Sequence, residues 1–284
     1  MLKQRIITAL AMLAILLPAL FWPSYVPFAA ITLLLIAAGA WEWGRLNGVG
    51  QGGSVMLGGL CLVLCAAAWA AGWLVRPLPL LWSLAGGAWV LAGALLLRGG
   101  VAGWPRVPRA VRLAGGVLAL WLAWLAVAQA RVIGINFLLS VLVLVWAADV
   151  FAYFAGRAFG LKFTRNKLAP AISPGKSWEG VWGGMLGVAV LAVAWVAFDR
   201  ALQADVPSLY SRLAGQAGWL LVLGVVFLAA MSVVGDLVES LVKRSAGAKD
   251  SSGLLPGHGG VLDRVDALLP TLPLALMLAS LTAR

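Results

Sequence analysis

The chain has 284 residues, 63% of them hydrophobic and 11% charged, with a formal net charge of +11. Soluble domains carry roughly a quarter charged residues, so this composition excludes a water-soluble globular protein and leaves an integral membrane protein. The basic residues sit in short segments between apolar runs, which points away from a nucleic-acid-binding face and towards the positive-inside bias of membrane proteins.

The opening MLKQRIITALAMLAILLPAL places Lys3 and Arg5 before an apolar run, as a secretory signal does. No small-residue cleavage site follows, so it reads as a retained first helix. Runs able to cross a hydrocarbon layer of roughly 30 Å follow at 6–22, 25–44, 55–74, 79–97, 113–130, 135–155, 180–198, 217–239 and 262–282. They predict an all-α bundle of about nine transmembrane helices. Residues 1–134 form N-terminal spans, a lipid-facing scaffold, and 135–284 form C-terminal spans with cytoplasmic catalytic loops.

Glu42, at the end of the second run, is expected to be a buried structural partner for a base. Cys61 and Cys65, four apart in the third run, lack the further ligands that zinc needs and cannot easily bridge within one helical turn. They read as packing residues. The Gly/Pro/Arg segment 98–112 is a topology-setting linker at the lipid headgroups, and most tryptophans lie near span ends as interfacial anchors.

Counted across nine spans, one set of connecting segments holds 16 of the 21 bases: Lys3, Arg5, Arg45, Arg98, Arg106, Arg109, Arg112, Arg157, Lys162, Arg165, Lys167, Lys176, Lys243, Arg244, Lys249 and Arg264. That side is assigned to the cytoplasm, which puts the N-terminus in and the C-terminus out. Eight of the ten acids lie on it or at the adjoining helix ends; Asp199 and Asp205 do not. Acids contribute little to topology, so their clustering calls for a cytoplasm-facing site.

Two clusters carry the chemistry. From Asp149 to Gly180, Asp149 and Tyr153 end the sixth run, and a basic loop leads into ISPGKSWEG. There Ser173, Lys176 and Ser177 stand before a helix start whose free amides suit phosphate; Glu179 reads as a capping acid, and Lys162 and Arg165 as lipid-contacting bases. From Gly235 to Asp266, Asp236, Glu239, Ser240 and Lys243 share one helix face, with Glu239 and Lys243 at the natural ion-pair spacing. This stripe is either a salt-bridged seam or part of a site. After Lys249 and Asp250 comes a glycine turn holding the chain's one histidine, His258, a candidate for phosphate contact rather than general-base duty. Asp263 and Asp266 then open the last helix facing the same way. With Asp236 they make a hard-oxygen set suited to Mg²⁺ rather than zinc.

From Ser240 to Asp266 the sequence SLVKRSAGAKDSSGLLPGHGGVLDRVD resembles the signature of the phosphatidate cytidylyltransferase (CDP-diacylglycerol synthase) family. The matching positions are Ser240, Lys243, Arg244, Lys249, Asp250, His258, Gly259, Gly260, Asp263, Arg264 and Asp266. GDLVES and ISPGKSWEG resemble family segments as well, although Gly175 and Ser177 stand where many members carry Lys and Thr. The N-terminal half matches only in being hydrophobic and multi-spanning.

The resemblance implies transfer of the cytidylyl group of CTP to phosphatidate in a membrane-embedded homodimer, with Mg²⁺ alone or with a second, monovalent cation. It implies catalytic roles for Asp236, Lys243, Asp263 and Asp266, with Asp236, Asp263 and Asp266 as metal ligands. Ser173, Lys176, Ser177, Glu239, Ser240, Arg244, Lys249, Asp250, His258, Gly259, Gly260 and Arg264 are the substrate-binding set. The expected location is the inner membrane of a bacterium. A CTP-dependent lipid or polyprenol kinase shares these requirements, and a transporter is the alternative outside enzymes.

Overall fold

The computed structural model describes residues 2–282. Among these it is helical, without strands; Ala169–Ser173 and Leu255–Gly259 are isolated bridges. The helices are α1 (Leu2–Phe21), α2 (Val26–Leu46), α3 (Gln51–Ala70), α4 (Pro79–Gly103), α5 (Arg109–Ile133), α6 (Ile135–Phe159), α7 (Trp178–Ala201), α8 (Leu209–Gln216), α9 (Gly218–Ser245), α10 (Leu262–Val265) and α11 (Leu268–Leu281). Nine helical segments among the described residues are long and apolar enough to cross a membrane, the last of them running through α10 and α11. The chain is an integral membrane protein, and the expected bundle is present.

The spans begin and end close to the expected points. Pro23 lies in the break between α1 and α2, and Pro27 in the first turn of α2, where its missing N–H costs nothing. Hydropathy understates α9, which continues beyond its apolar part to Ser245 and carries the polar stripe with it. The eight-residue α8 is too short to register as an apolar run. Ser208 caps it by accepting from Ser211 N, and Leu209, Tyr210 and Leu213 are buried beneath it. Cys61 and Cys65 are buried free thiols on α3, in packing positions.

Packing decides where the charged ends meet. Among the spans α9 and α11 are the most buried and α1 the least. α11 lies against α4, α5 and α9, while α6 and α7 form a close pair. That pair is tight because α7 presents glycines to the α6 backbone. A Cβ on Gly180 would stand 2.9 Å from the Ala152 carbonyl oxygen, and one on Gly184 2.8 Å from that of Ala148. The close approach brings the start of α7, and with it Lys176, to the end of α6 that carries Asp149.

Candidate active site

The last turns of α9 supply the first part of the site. Lys243 Nζ meets Glu239 one turn earlier and Asp263 Oδ1 at 2.6 Å. The three side chains are only 13%, 3% and 5% exposed, respectively. Charges buried this far persist only when paired and hydrogen-bonded. The i,i+4 partner was legible in the sequence; Asp263 arrives from α10, beyond the loop.

Asp263 also closes that loop on itself. Its Oδ2 accepts from Ser251 N, Ser251 Oγ and Gly260 N, each at 2.8 Å. Gly259 sits between these donors at φ +82°, and a Cβ there would lie 2.6 Å from Asp263 Oδ2. The turn therefore requires glycine on both conformational and steric grounds.

A second acid holds the same loop from α2. Glu42, fully buried, accepts from Ser252 Oγ at 2.6 Å and Val261 N at 2.9 Å through Oε1. Through Oε2 it accepts from Leu262 N at 2.8 Å and Ser251 Oγ at 3.1 Å. Its partners are thus amides and hydroxyls, not the base expected from sequence, because the start of α10 presents unpaired N–H groups. From α1, Arg5 Nε donates to Gly257 O at 3.0 Å and Thr8 Oγ1 to Pro256 O at 2.9 Å. His258 sits half-buried within this clamp, with Nδ1 buried and meeting no hydrogen-bond partner.

The second cluster joins the first through Asp236. Lys176 Nζ lies 2.7 Å from Asp236 Oδ2, and Ser240 Oγ donates to Asp236 Oδ1 at 3.3 Å. The turn that presents Lys176 is closed by Lys176 N to Ser173 O at 3.2 Å and Leu168 N to Lys176 O at 3.2 Å. Ser177 caps α7, accepting from Gly180 N at 3.2 Å. Glu179 accepts from Phe163 N at 3.1 Å and from Thr164 N and Oγ1, each at 2.8 Å. Asp149 is within charge–charge range of Lys176, Asp236 and Arg264, and Asp266 of Asp236, Lys243 and Asp149.

Asp263 and Asp266, expected to face the same way, therefore serve different partners. Asp263 is bonded to Lys243 and the loop; Asp266 accepts from Ala267 N at 2.8 Å and lies within charge–charge range of Asp236, Lys243 and Asp149. Arg244, Lys249, Asp250 and Arg264 are exposed around this rim. Arg244 touches only the Ile172 and Ala248 carbonyls, at 3.4 and 3.5 Å.

Among the described residues no three His, Cys, Asp or Glu side chains form a ready-made cation cage. Mg²⁺ needs none, since it is commonly held by one or two carboxylates, water and substrate phosphates. Asp236 and Asp266, with Asp149 beside them, form an all-oxygen acidic set of that kind. Asp263 is more heavily committed: its Oδ2 accepts three hydrogen bonds and its Oδ1 holds Lys243, whereas Asp236 accepts one contact at each oxygen.

Sequence reasoning passed over Arg5, Thr8 and Ser251, and gave Glu42 the wrong kind of partner. The usable signal was an acid in the last turns of an apolar helix, which must find donors somewhere.

The family described as the cytidylyltransferase family matches residues 3–282. The chain is 41% identical to the phosphatidate cytidylyltransferase of Pseudomonas aeruginosa over 281 residues, covering 96% of this chain and 95% of that one. It is 48% identical to the phosphatidate cytidylyltransferase of Haemophilus influenzae over 144 residues, 49% of this chain and 44% of the other. With the protein of the same name from Bacillus subtilis it shares 38% over 148 residues, 52% of this chain and 49% of that one.

Proposed function

The chain belongs to the cytidylyltransferase family, and we propose that it transfers the cytidylyl group of CTP to phosphatidate, giving CDP-diacylglycerol and pyrophosphate for phospholipid biosynthesis. The observation that carries this reading is the Lys176–Asp236 contact at 2.7 Å. It joins two motif segments, 60 residues apart in the chain, at one end of the bundle.

An ionised phosphatidate oxygen is already a nucleophile. It attacks the α-phosphorus of CTP; a new P–O bond forms as the bond to the β-phosphate oxygen breaks, and pyrophosphate leaves with the electron pair. No general base is required, which agrees with the placement of His258 in a structural clamp. The protein's share is positioning and charge neutralisation. Lys176 and Lys243 supply cations held in place by acids, while Arg244, Lys249 and Arg264 on the rim meet the outer phosphates. Ser173, Ser240 and the Gly259–Gly260 backbone line the approach. Asp250 lies on the same rim.

Asp236 and Asp266 would hold Mg²⁺, which when bound neutralises phosphate charge; Asp149 lies within charge–charge range of both, and a monovalent ion is compatible with it. Asp263 acts in this scheme by holding Lys243 and the loop.

The site faces the cytoplasm of a bacterial inner membrane, with the N-terminus in and the C-terminus out, and the enzyme is a homodimer. The basic bias of the connecting segments supports the orientation. A C-terminal reporter active only in the cytoplasm would overturn it, and light scattering of the purified protein reads the oligomer.

The acids sit at span ends rather than along a midplane pathway, which favours an enzyme over a transporter. The decisive assay is Mg²⁺-dependent pyrophosphate release from CTP, with and without phosphatidate. A CDP-lipid with pyrophosphate supports the proposal, whereas a phosphorylated lipid with CDP reassigns the protein as a kinase.

A further inference from the structure

Consecutive antiparallel helices joined by a short turn normally pack together, yet α4 and α5 scarcely touch. Between them lies a cavity of about 310 Å³, within the range of small-ligand pockets, roughly 300–1,000 Å³. Its rim, including Ala88, Ala92, Val111 and Leu118, is exposed on the bundle's flank, and its floor is the buried face of α9 at Gly235 and Val238. Small side chains on both walls keep it open. From Ala85 to Leu96 its α4 wall spans eleven helical steps, about 16 Å at the helical rise.

The walls are apolar except at the end nearest the reaction site. Trp104, 5% exposed, and Glu239, 3% exposed, both line the cavity there. Trp104 Nε1 and Arg112 Nε are buried N–H groups without an acceptor, and Glu239 Oε1 meets no donor. The Arg112 guanidinium stacks 5.7 Å over the Trp104 ring. Unmet buried donors cost about 1–3 kcal/mol each, so two together at the mouth of an apolar slot call for an oxygen-rich acceptor attached to a hydrocarbon chain.

We infer that this slot is a lipid site: it takes one acyl chain of a bilayer phospholipid other than the reacting phosphatidate, with that lipid's ester or phosphate oxygens accepting from Trp104 and Arg112. The lipid is distinct from the substrate because α9 separates the two. Gly235, Val238 and Glu239 line the slot, whereas Asp236, Ser240 and Lys243 lie about 100° further round the helix, where Asp236 meets Lys176 and Lys243 meets Asp263. Glu239, paired with Lys243, is the shared wall, so occupancy bears directly on the catalytic ion pair. A partner helix, roughly 10 Å across, does not enter a cavity of this volume; a chain of methylenes does.

The test uses the full chain in nanodiscs of phosphatidylethanolamine and phosphatidylglycerol, with a phosphatidylethanolamine bearing a diazirine in one acyl chain. Photolabelling is expected on α4 between Ala88 and Leu96 and on α5 between Gly115 and Leu122, and saturating unlabelled phosphatidate should leave it in place. Ala119→Phe should fill the slot and lower the labelling several-fold, and Ala92→Leu at the rim should do so more mildly if the first variant fails to fold. Arg112→Gln should shift labelling from phosphatidylglycerol probes more than from uncharged diacylglycerol probes. Labelling that ignores all three substitutions overturns the site. Labelling displaced by phosphatidate assigns the slot to the substrate, and crosslinks to a second copy assign it to an interface; either result ends the proposal.

Discussion

The loop from Gly160 to Ser177 is fastened mainly by its own neighbours, whereas the loop from Ala246 to Val261 is fastened both by Asp263 beside it and by helices at the other end of the chain. In the first, Glu179 reaches back 15 or 16 residues to Thr164 and Phe163, and Lys167 donates to Pro174 O at 2.6 Å. In the second, Glu42 bonds partners 209 to 220 residues away and Arg5 a carbonyl 252 residues away. Both loops carry bases at the same end of the bundle, Lys176 in the first and Lys249 in the second. The first can take shape once α6 and α7 pair; the second has its shape only in the assembled bundle. The catalytic geometry is therefore local on one side and global on the other.

The sharpest way to break this contrast is Glu42→Ala. It leaves the Val261 and Leu262 amides and the Ser252 hydroxyl without their acceptor, at about 1–3 kcal/mol for each group that stays buried. Turnover is expected to fall by about two orders of magnitude, with a lower detergent melting temperature. Glu42→Gln keeps an acceptor oxygen and should recover part of both. An unchanged Glu42→Ala enzyme would show that the loop holds itself.

Lys176→Ala comes next. It removes a preorganised cation from the reacting phosphates, on the order of 2–4 kcal/mol of transition-state stabilisation, read as a fall in kcat at saturating CTP and phosphatidate. The melting temperature should hardly move, because the turn's backbone bonds persist. Near-normal turnover would confine the site to Asp236 through Asp266.

Glu179→Gln should have a smaller effect, since an amide oxygen can still accept from Thr164. The expected result is a raised KM with kcat largely kept, measured by pyrophosphate release. A collapse as deep as that of Glu42→Ala would erase the distinction between the loops. Smallest of all is Arg5→Ala, which removes one hydrogen bond at an exposed position, worth about 1 kcal/mol or less. Here the reading is protease sensitivity of the Ser252–Gly260 segment, which should rise while turnover changes little.

The spans were legible because each is a long apolar run, and the chemistry because charges are rare enough in such a chain to stand out. Lys243 with Glu239 followed from helical spacing alone. What spacing could not supply is which distant element completes a loop. Glu42 looked like an acid awaiting a base because an isolated carboxylate in an apolar helix usually finds one; its actual partners are the unpaired amides at the start of α10. Arg5 and Thr8 sit in a helix that otherwise faces lipid, so nothing in their surroundings marked them. The α4–α5 slot was invisible for the opposite reason: small residues in a membrane helix signal close packing as readily as a gap.

The bond from Leu262 N to Glu42 crosses 220 residues, and so it has a consequence for biosynthesis. At translation rates of about 5–20 residues per second, residue 262 leaves the ribosome roughly 10–40 s after residue 42. Throughout that interval the second helix lies in the bilayer with a carboxyl group whose eventual donors have not been made. Until then Glu42 lacks the full set of four donors that satisfies it in the folded chain. Insertion of the final helix completes the active-site loop and satisfies this acid in the same event.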